Sequence, residues 1–372
     1  MKLEGVRVLD ISLFLPGPML TMAMADHGAD VIKIEPPGEG EPMREIEGVK
    51  NGASVWFRNS HRGKRSIQLD LKSESGRAVF DALAAEADVI VEGFRPGVAQ
   101  RLGVDYQRVR SFNPGVVYCA ISAFGQESVY RDRPAHDLAL QAMSGIMSLT
   151  EGFDGKPTHA GIIAADALSS LTALSAVLMA LLRRKDTGQG DYIDIAMLDS
   201  LMAWMPTLTS TLFVKGHAPI PKQERNLGGN AMNRPYECAD GRWLVLGGSE
   251  LKFARTLLEG LGRLDLLDYA ALPPGEGQAP LRDFFIETFR TKSLADWLSW
   301  LEGRDICYAP MRTLKEAFDD PNLVARGMFS RDAEGSEIIG TPIKFREEPG
   351  RPDPRLPALN QHAGEGWRRR SP

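Results

Sequence analysis

Apolar residues along this chain fall into short runs separated by stretches with helical spacing. Val6 to Ser12 predicts a strand, Gly17-Pro18 opens a helix through Ala25, and Gly28-Ala29-Asp30 turns into a second strand at Val31-Ile32-Lys33-Ile34. The unit recurs with a strand at Ile67 to Leu71, a helix at Ser75 to Ala87 and a strand at Asp88 to Val91. Short helices then run to Phe112, and a strand follows at Val116 to Ile121. Alternation of this kind predicts an α/β fold with a parallel, doubly wound sheet.

Helical spacing returns from His136 to Thr150. A long apolar helix then covers Leu171 to Leu182 and ends in Arg183-Arg184-Lys185, with Gly188 beyond. A strand at Asp191 to Ile195 leads into another helix through about Phe213. The Pro-, Gly- and Asn-rich loop from Gly216 to Pro235 marks a boundary, after which the pattern changes. Tyr236 to Leu246 reads as a hairpin turning at Asp240-Gly241. Helices from Glu250 and from Ser293 to Leu301, a strand at Cys307 to Met311 and a helix at Leu314 complete a smaller α+β region. Past Pro321 the composition is that of a wrapping tail.

With 372 residues, 43% of them hydrophobic and 25% charged, the chain can bury sizeable cores and divide into two domains. A net charge of -5 without a basic cluster interleaved with aromatics speaks against a nucleic-acid partner, and Arg368-Arg369-Arg370 reads as a solvated tail. The N-terminus runs straight into a strand and leaves no room for a signal peptide, so a cytoplasmic protein is expected. The longest apolar run falls short of the roughly 18 clean residues of a membrane span. Cys119, Cys238 and Cys307 are far apart and form no CxxC, which predicts buried thiols and no metal site. No GxGxxG joins a strand to a helix, and HExxH and GxSxG are absent.

One carboxylate stands out. Asp166 follows Gly161-Ile162-Ile163-Ala164-Ala165 at the head of the long apolar helix, where the pattern predicts an N-cap. A carboxylate held ionised by a helix N-terminus also suits a nucleophile or a base.

Three stretches resemble the family III CoA-transferases, which include the α-methylacyl-CoA racemases. They are Gly17-Pro18 with Ala25 to Pro37, Arg65 to Lys72, and Glu92 to Val98 with Arg101-Leu102-Gly103; the likeness extends through Gly188 to Asp199, Ala239-Asp240-Gly241 and Gly340 to Ile343. The resemblance implies an acyl-CoA substrate, with coenzyme A and a carboxylic acid as partners. It also implies an interlaced homodimer with a Rossmann-like large domain, residues 1–215 with 326–372 returning to it, and a small α+β domain, 216–325. It makes Asp166 the catalytic carboxylate and assigns CoA contacts to Leu69, Lys72, Gly93, Phe94, Arg95 and Arg101. Family members often carry an Arg after the Ile-Glu of the second strand; here Pro36-Pro37 follows, and Arg44 is the candidate replacement.

The family runs two chemistries through its aspartate. In transfer the aspartate carries CoA as a thioester, with a glycine loop as shield, and Gly228-Gly229 matches that loop's place. In racemisation a His and the Asp exchange an α-proton with a Glu in support, and His136 and Glu250 match those positions. His136 and Asp137 also read as caps of the helix they open, and Glu250 as part of a first turn after Ser249. Transfer is the first reading because transferases are the more numerous members. A binding protein for CoA esters without turnover is the reading from another class.

Overall fold

The computed structural model describes residues 1–46, 48–152 and 154–369. These form two compact units. One comprises Met1–Ser144, Gly161–Ala203 and the segment from Phe318 onward; the other comprises Gly145–Ala160 and Trp204–Ala317.

The first unit is built on six strands: β1 (Arg7–Asp10), β2 (Asp30–Glu35), β3 (Arg65–Gln68), β4 (Val89–Glu92), β5 (Val117–Ser122) and β6 (Asp191–Ala196). All neighbours pair in parallel, in the order β3-β2-β1-β4-β5-β6. Successive strand residues face opposite sides, and both sides are apolar. Val8, Val31, Val89 and Val117 pack under the helices Pro16–Asp26 and Ala164–Thr187. Leu9, Ile32, Ile90 and Tyr118 pack under the helices Glu74–Ala84 and Tyr106–Phe112. Burial of each such side chain contributes about 1.5–3 kcal/mol, and burial on both faces explains why the strands read as unbroken apolar runs. The strand expected at Ile67 to Leu71 ends instead at Gln68, because Asp70 closes a turn onto Ser73 (3.0 Å).

Sheets of this order reverse direction between β1 and β4, and the crevice beyond the strands' C-terminal ends is the standing ligand site. The residues leaving those ends are Ile11 to Gly17 and Gly93 to Val98. Gly17 sits where a Cβ would come within 2.1 Å of the Ser12 hydroxyl, so only glycine lets the helix start so close to the strand end.

The long helix runs Ala164–Thr187 and stops at Gly188, whose φ of 69° is left-handed. Its 24 residues are long and apolar enough to cross a membrane, yet Ala165, Ala173, Leu174, Val177 and Leu181 are core residues of this unit. The opposite face leaves Leu171, Leu178, Met179 and Leu182 exposed. The helix expected from His136 to Thr150 is broken by Gly145 (φ 83°) into Asp137–Met143 and Ile146–Leu149. The tail past Pro321 holds a hairpin, Phe329–Arg331 with Glu337–Ile339, tied down by an Arg58–Asp332 ion pair (2.5 Å). Arg368 is not simply solvated either: its backbone N–H donates to Asp30 (2.9 Å). Arg370 lies outside the described residues.

The second unit carries an antiparallel sheet in the order Tyr308–Pro310, Trp243–Gly247, Asn233–Glu237. The Asp240-Gly241 turn forms as the sequence predicts, with Gly241 at φ 74°. Its core gathers Tyr236, Phe285, Phe289 and Trp297, the indole donating to the Phe289 carbonyl (2.8 Å). Cys307, expected to be buried, is exposed; Cys119 and Cys238 are buried. Gly229 is clamped rather than free. It bonds Glu224 and Gly275 (2.9 Å each), and a Cβ there would meet the Gln223 backbone at 2.7 Å.

Candidate active site

Asp166 is not an N-cap. Ile163 holds that position without a side-chain bond, and Asp166 is the third residue of the helix. The cap comes from elsewhere in the unit: Asp137 Oδ1 accepts from Ala165 N–H (2.7 Å) and stands 3.4 Å from Asp166 N–H. Asp137 Oδ2 is held in turn by Gln141 Nε2 (2.6 Å), one turn along its own helix. Neither His136 nor Asp137 caps that helix by a side-chain bond: His136 occupies its N-cap position without one, and Asp137 reaches across to the long helix.

With the helix donors taken by Asp137, burial pushes the Asp166 carboxyl up to about 7, and the neighbouring Asp137 charge adds to the rise. The expectation of a carboxylate held ionised by the helix terminus is therefore corrected. Asp166 ionises near neutrality, in the range where a more basic carboxylate is a stronger nucleophile yet still available.

Asp166 opens into a cavity of about 390 Å³ at the β1/β4 crevice. Gly93, Phe94 and Arg95 form its β4 side, Leu13, Phe14 and Gly17 its β1 side, and His136 with Arg131 and Arg133 its rim. The His136 ring meets the edge of Phe14 with centroids 6.2 Å apart. Among the described residues that line the cavity, Asp166 is the single carboxylate, against three guanidinium groups. A second cavity of about 440 Å³ is lined by Pro36, Pro37, Leu69 to Lys72 and Leu102, and it shares Leu13 and Phe94 with the first.

Buried carboxyls hold both phenylalanine turns. Glu92 ends β4 and accepts from Phe94 N–H (2.6 Å); burial pushes it up to about 8 despite that bond, with Asp194 adding to the rise. Glu41 Oε1 accepts from Phe14 N–H (2.9 Å) while its other oxygen pairs with Lys33 (3.2 Å).

The structure thus brings Asp166, His136, Gly93, Phe94 and Arg95 around one cavity and Leu69 and Lys72 around its neighbour. Arg101 lines neither; its Nη1 lies 3.3 Å, and Arg131 Nη2 3.5 Å, from where a Cβ on Gly97 would stand. Glu250 belongs to the second unit, where it, not Ser249, is the N-cap residue of the helix Leu251–Gly260, without a side-chain capping bond. Arg44 does not stand free to replace a cation at Pro36-Pro37: it pairs with Glu35 (2.7 Å), bonds the Pro357 carbonyl and lies over the Phe57 ring. Arg131 and Arg133 escaped the sequence reading, which took Asp137 only as a cap of its own helix. Their only signal is proximity in the chain to His136.

A sheet of Rossmann order with an acid at its crevice defines an α/β enzyme that takes its ligand across the strand ends. The chain belongs to CoA-transferase family III, whose family model matches residues 3–363. It is 32% identical to a succinyl-CoA–D-citramalate CoA-transferase of Chloroflexus aurantiacus, over 98% of this chain and 92% of that protein. It is also 32% identical to a succinate–glutarate CoA-transferase of Agrobacterium fabrum, over 98% and 94%. The crystal structure of a CaiB/BaiF family protein from Brucella suis superposes with a TM-score of 0.84 at 30% identity, covering 97% of both chains. The protein is accordingly a CoA-transferase acting on CoA thioesters.

Proposed function

We propose that this enzyme moves CoA between dicarboxylic acids through a thioester on Asp166. The observation that carries the reading is the placement of Asp166, an unpaired, partly buried carboxyl, in a cavity that shares the wall residues Leu13 and Phe94 with a second one. The nucleotide end of CoA lies against Leu69 and Lys72, and its pantetheine arm passes Gly93 and Phe94. Arg101 and Arg131 take the diphosphate. Arg95 and Arg133 balance the acid's distal carboxylate, in keeping with the succinate-directed names of the relatives.

The ionised Asp166 attacks the donor thioester carbonyl; the C–S bond breaks, CoA leaves as thiolate, and an acyl-aspartyl anhydride forms. The thiolate then attacks the Asp166 carbonyl carbon, releasing the donor acid as carboxylate and leaving CoA on Asp166. The acceptor carboxylate repeats these steps in reverse order, regenerating Asp166. No proton is gained or lost, so the transfer asks for charge balance rather than acid–base relay.

Incubation with succinyl-CoA and no acceptor tests the mechanism. The peptide containing Asp166 is expected to gain the mass of CoA less one water, and hydroxylamine is expected to release CoA from it and leave Asp166 as its hydroxamate. The same adduct on another carboxylate, or none with turnover intact, refutes it.

The subunit is read as half of an interlaced homodimer in the cytoplasm. Leu171, Leu178, Met179 and Leu182, 40–69% exposed along one helix face, support a partner chain, and the exposed Cys307 thiol suits a reducing compartment. An unfolding midpoint that rises with protein concentration is expected. A second reading, α-proton exchange between His136 and Asp166 with Glu250 in support, is favoured by one observation: His136 and Asp166 line the same cavity.

A further inference from the structure

Phe14 is a bulky residue in the left-handed region, at φ 62°. A side chain of that size adopts such a backbone only when its surroundings force it, and such strain gathers at functional sites. The forcing groups are buried. Ser12, two residues before, is fixed by Asp10, which accepts from both its N–H (3.0 Å) and its hydroxyl (2.5 Å). Pro18, four residues after, is fixed by Lys64, which donates to its carbonyl (2.9 Å). Phe14 itself is held by Glu41, which accepts from its N–H, and Glu41, Lys33, Lys64 and Asp10 are all fully buried. This frame leaves Phe14 43% exposed, lining the Asp166 cavity with its ring perpendicular to that of His136.

An exposed phenyl ring on a strained backbone contributes little burial. Glycine or asparagine would take the same conformation with less strain. The ring's place in the cavity therefore points to a steric task.

We propose that Phe14 is a specificity-determining residue, a rigid wall that admits straight-chain acyl groups to Asp166 and excludes those branched at the α-carbon. The inference rests on the acyl-CoA reading of the cavity. Because the backbone is pinned on both sides, the ring stays anchored at the wall of the cavity, where a methyl branch would meet it.

The test uses Phe14→Gly and Phe14→Asn, both suited to the left-handed backbone, assayed with succinyl-CoA and 2-methylsuccinyl-CoA against one acceptor acid. The ratio of kcat/KM for the branched over the straight donor is expected to rise about tenfold or more in both variants, with melting temperatures equal to or above that of the parent. An unchanged ratio overturns the proposal. A lowered melting temperature in both variants overturns it as well, since it removes the strain on which the argument stands. Asp166→Asn, run alongside, separates the two levels: transfer surviving in it refutes the reading of this cavity as the site of reaction at Asp166, whereas its loss with an unchanged Phe14 ratio refutes the wall alone.

Discussion

Asp10 closes β1 and Asp166 lies in the first turn of the long helix of the same unit; both carboxyls are buried or partly buried, and they are pushed in opposite directions. At Asp10 burial alone would raise the pKa. The ammonium groups of Lys33 and Lys64 and the hydroxyls of Ser12 and Thr21 more than offset it, holding the carboxyl well below the usual range. At Asp166 burial acts unopposed and the nearest charge is another carboxylate, so the value rises to about 7. The difference teaches that burial does not decide what a carboxyl does; the supply of donors does. Asp10 has its donors saturated and serves the frame. Asp166 has had its helix donors diverted to Asp137 and is left reactive.

The largest expected effects come from exchanging each carboxyl for its amide. Asp166→Asn should lower CoA transfer by about 10⁴-fold or more, as removal of a nucleophile does, with the fold intact by circular dichroism. Asp10→Asn should do the reverse, leaving two buried ammonium groups undercompensated and destabilising the protein by about 3–5 kcal/mol in denaturant melts. Full stability in Asp10→Asn would break the comparison.

Intermediate effects follow from pH. Transfer needs ionised Asp166, so kcat/KM should fall about tenfold per unit as pH drops below about 7. Asp137→Asn keeps the helix cap but removes the neighbouring charge, and should move that limb to lower pH. The sign for stability is opposite at the two sites. The raised Asp166 contributes stability below its unfolded value of about 3.8, and that contribution is lost as pH rises through about 7. The depressed Asp10 contributes stability above about 3.8, lost only as pH falls toward its low folded value. Asp166→Asn should therefore melt higher than the parent at pH 8 and alike at pH 4, read by calorimetry.

The smallest effect is expected at His136. Transfer leaves the α-carbon untouched, so His136→Ala should reduce CoA exchange by much less than the roughly 10²- to 10⁴-fold of a general acid–base group. Little deuterium should enter the α-position from heavy water. Rapid incorporation without CoA exchange would replace transfer by racemisation, with His136, Asp166 and Glu250 as its set.

Much of this was legible in the chain. Two-sided burial writes itself as unbroken apolar runs, so inner strands follow from Val8-Leu9, Val31-Ile32 and Val89-Ile90-Val91 without a structure, while the less apolar edge strands Arg65–Gln68 and Asp191–Ala196 follow from the alternation of strands and helices. The long helix follows from its apolar length and its closing Gly188, although it begins at Ala164, ahead of the Asp166 read as its cap. The helices Leu267–Ala271 and Ala279–Phe289 were not foreseen, their apolar spacing being interrupted by Pro273-Pro274 and Gly275. The capping of one helix by Asp137 from another was equally illegible, because a residue's donors lie at contacts 28 positions apart.

The sequence by itself determined the strand–helix alternation, the glycines that must turn left and the presence of an acid at the head of an apolar helix, since periodicity and backbone sterics are local. Only the tertiary structure decided which acid is compensated and which is not. That Asp10 meets Lys33 and Lys64 while Asp166 meets Asp137 depends on how strands far apart in the chain come side by side, and electrostatic free energy is set by distance in space and by burial, neither of which the order of residues contains.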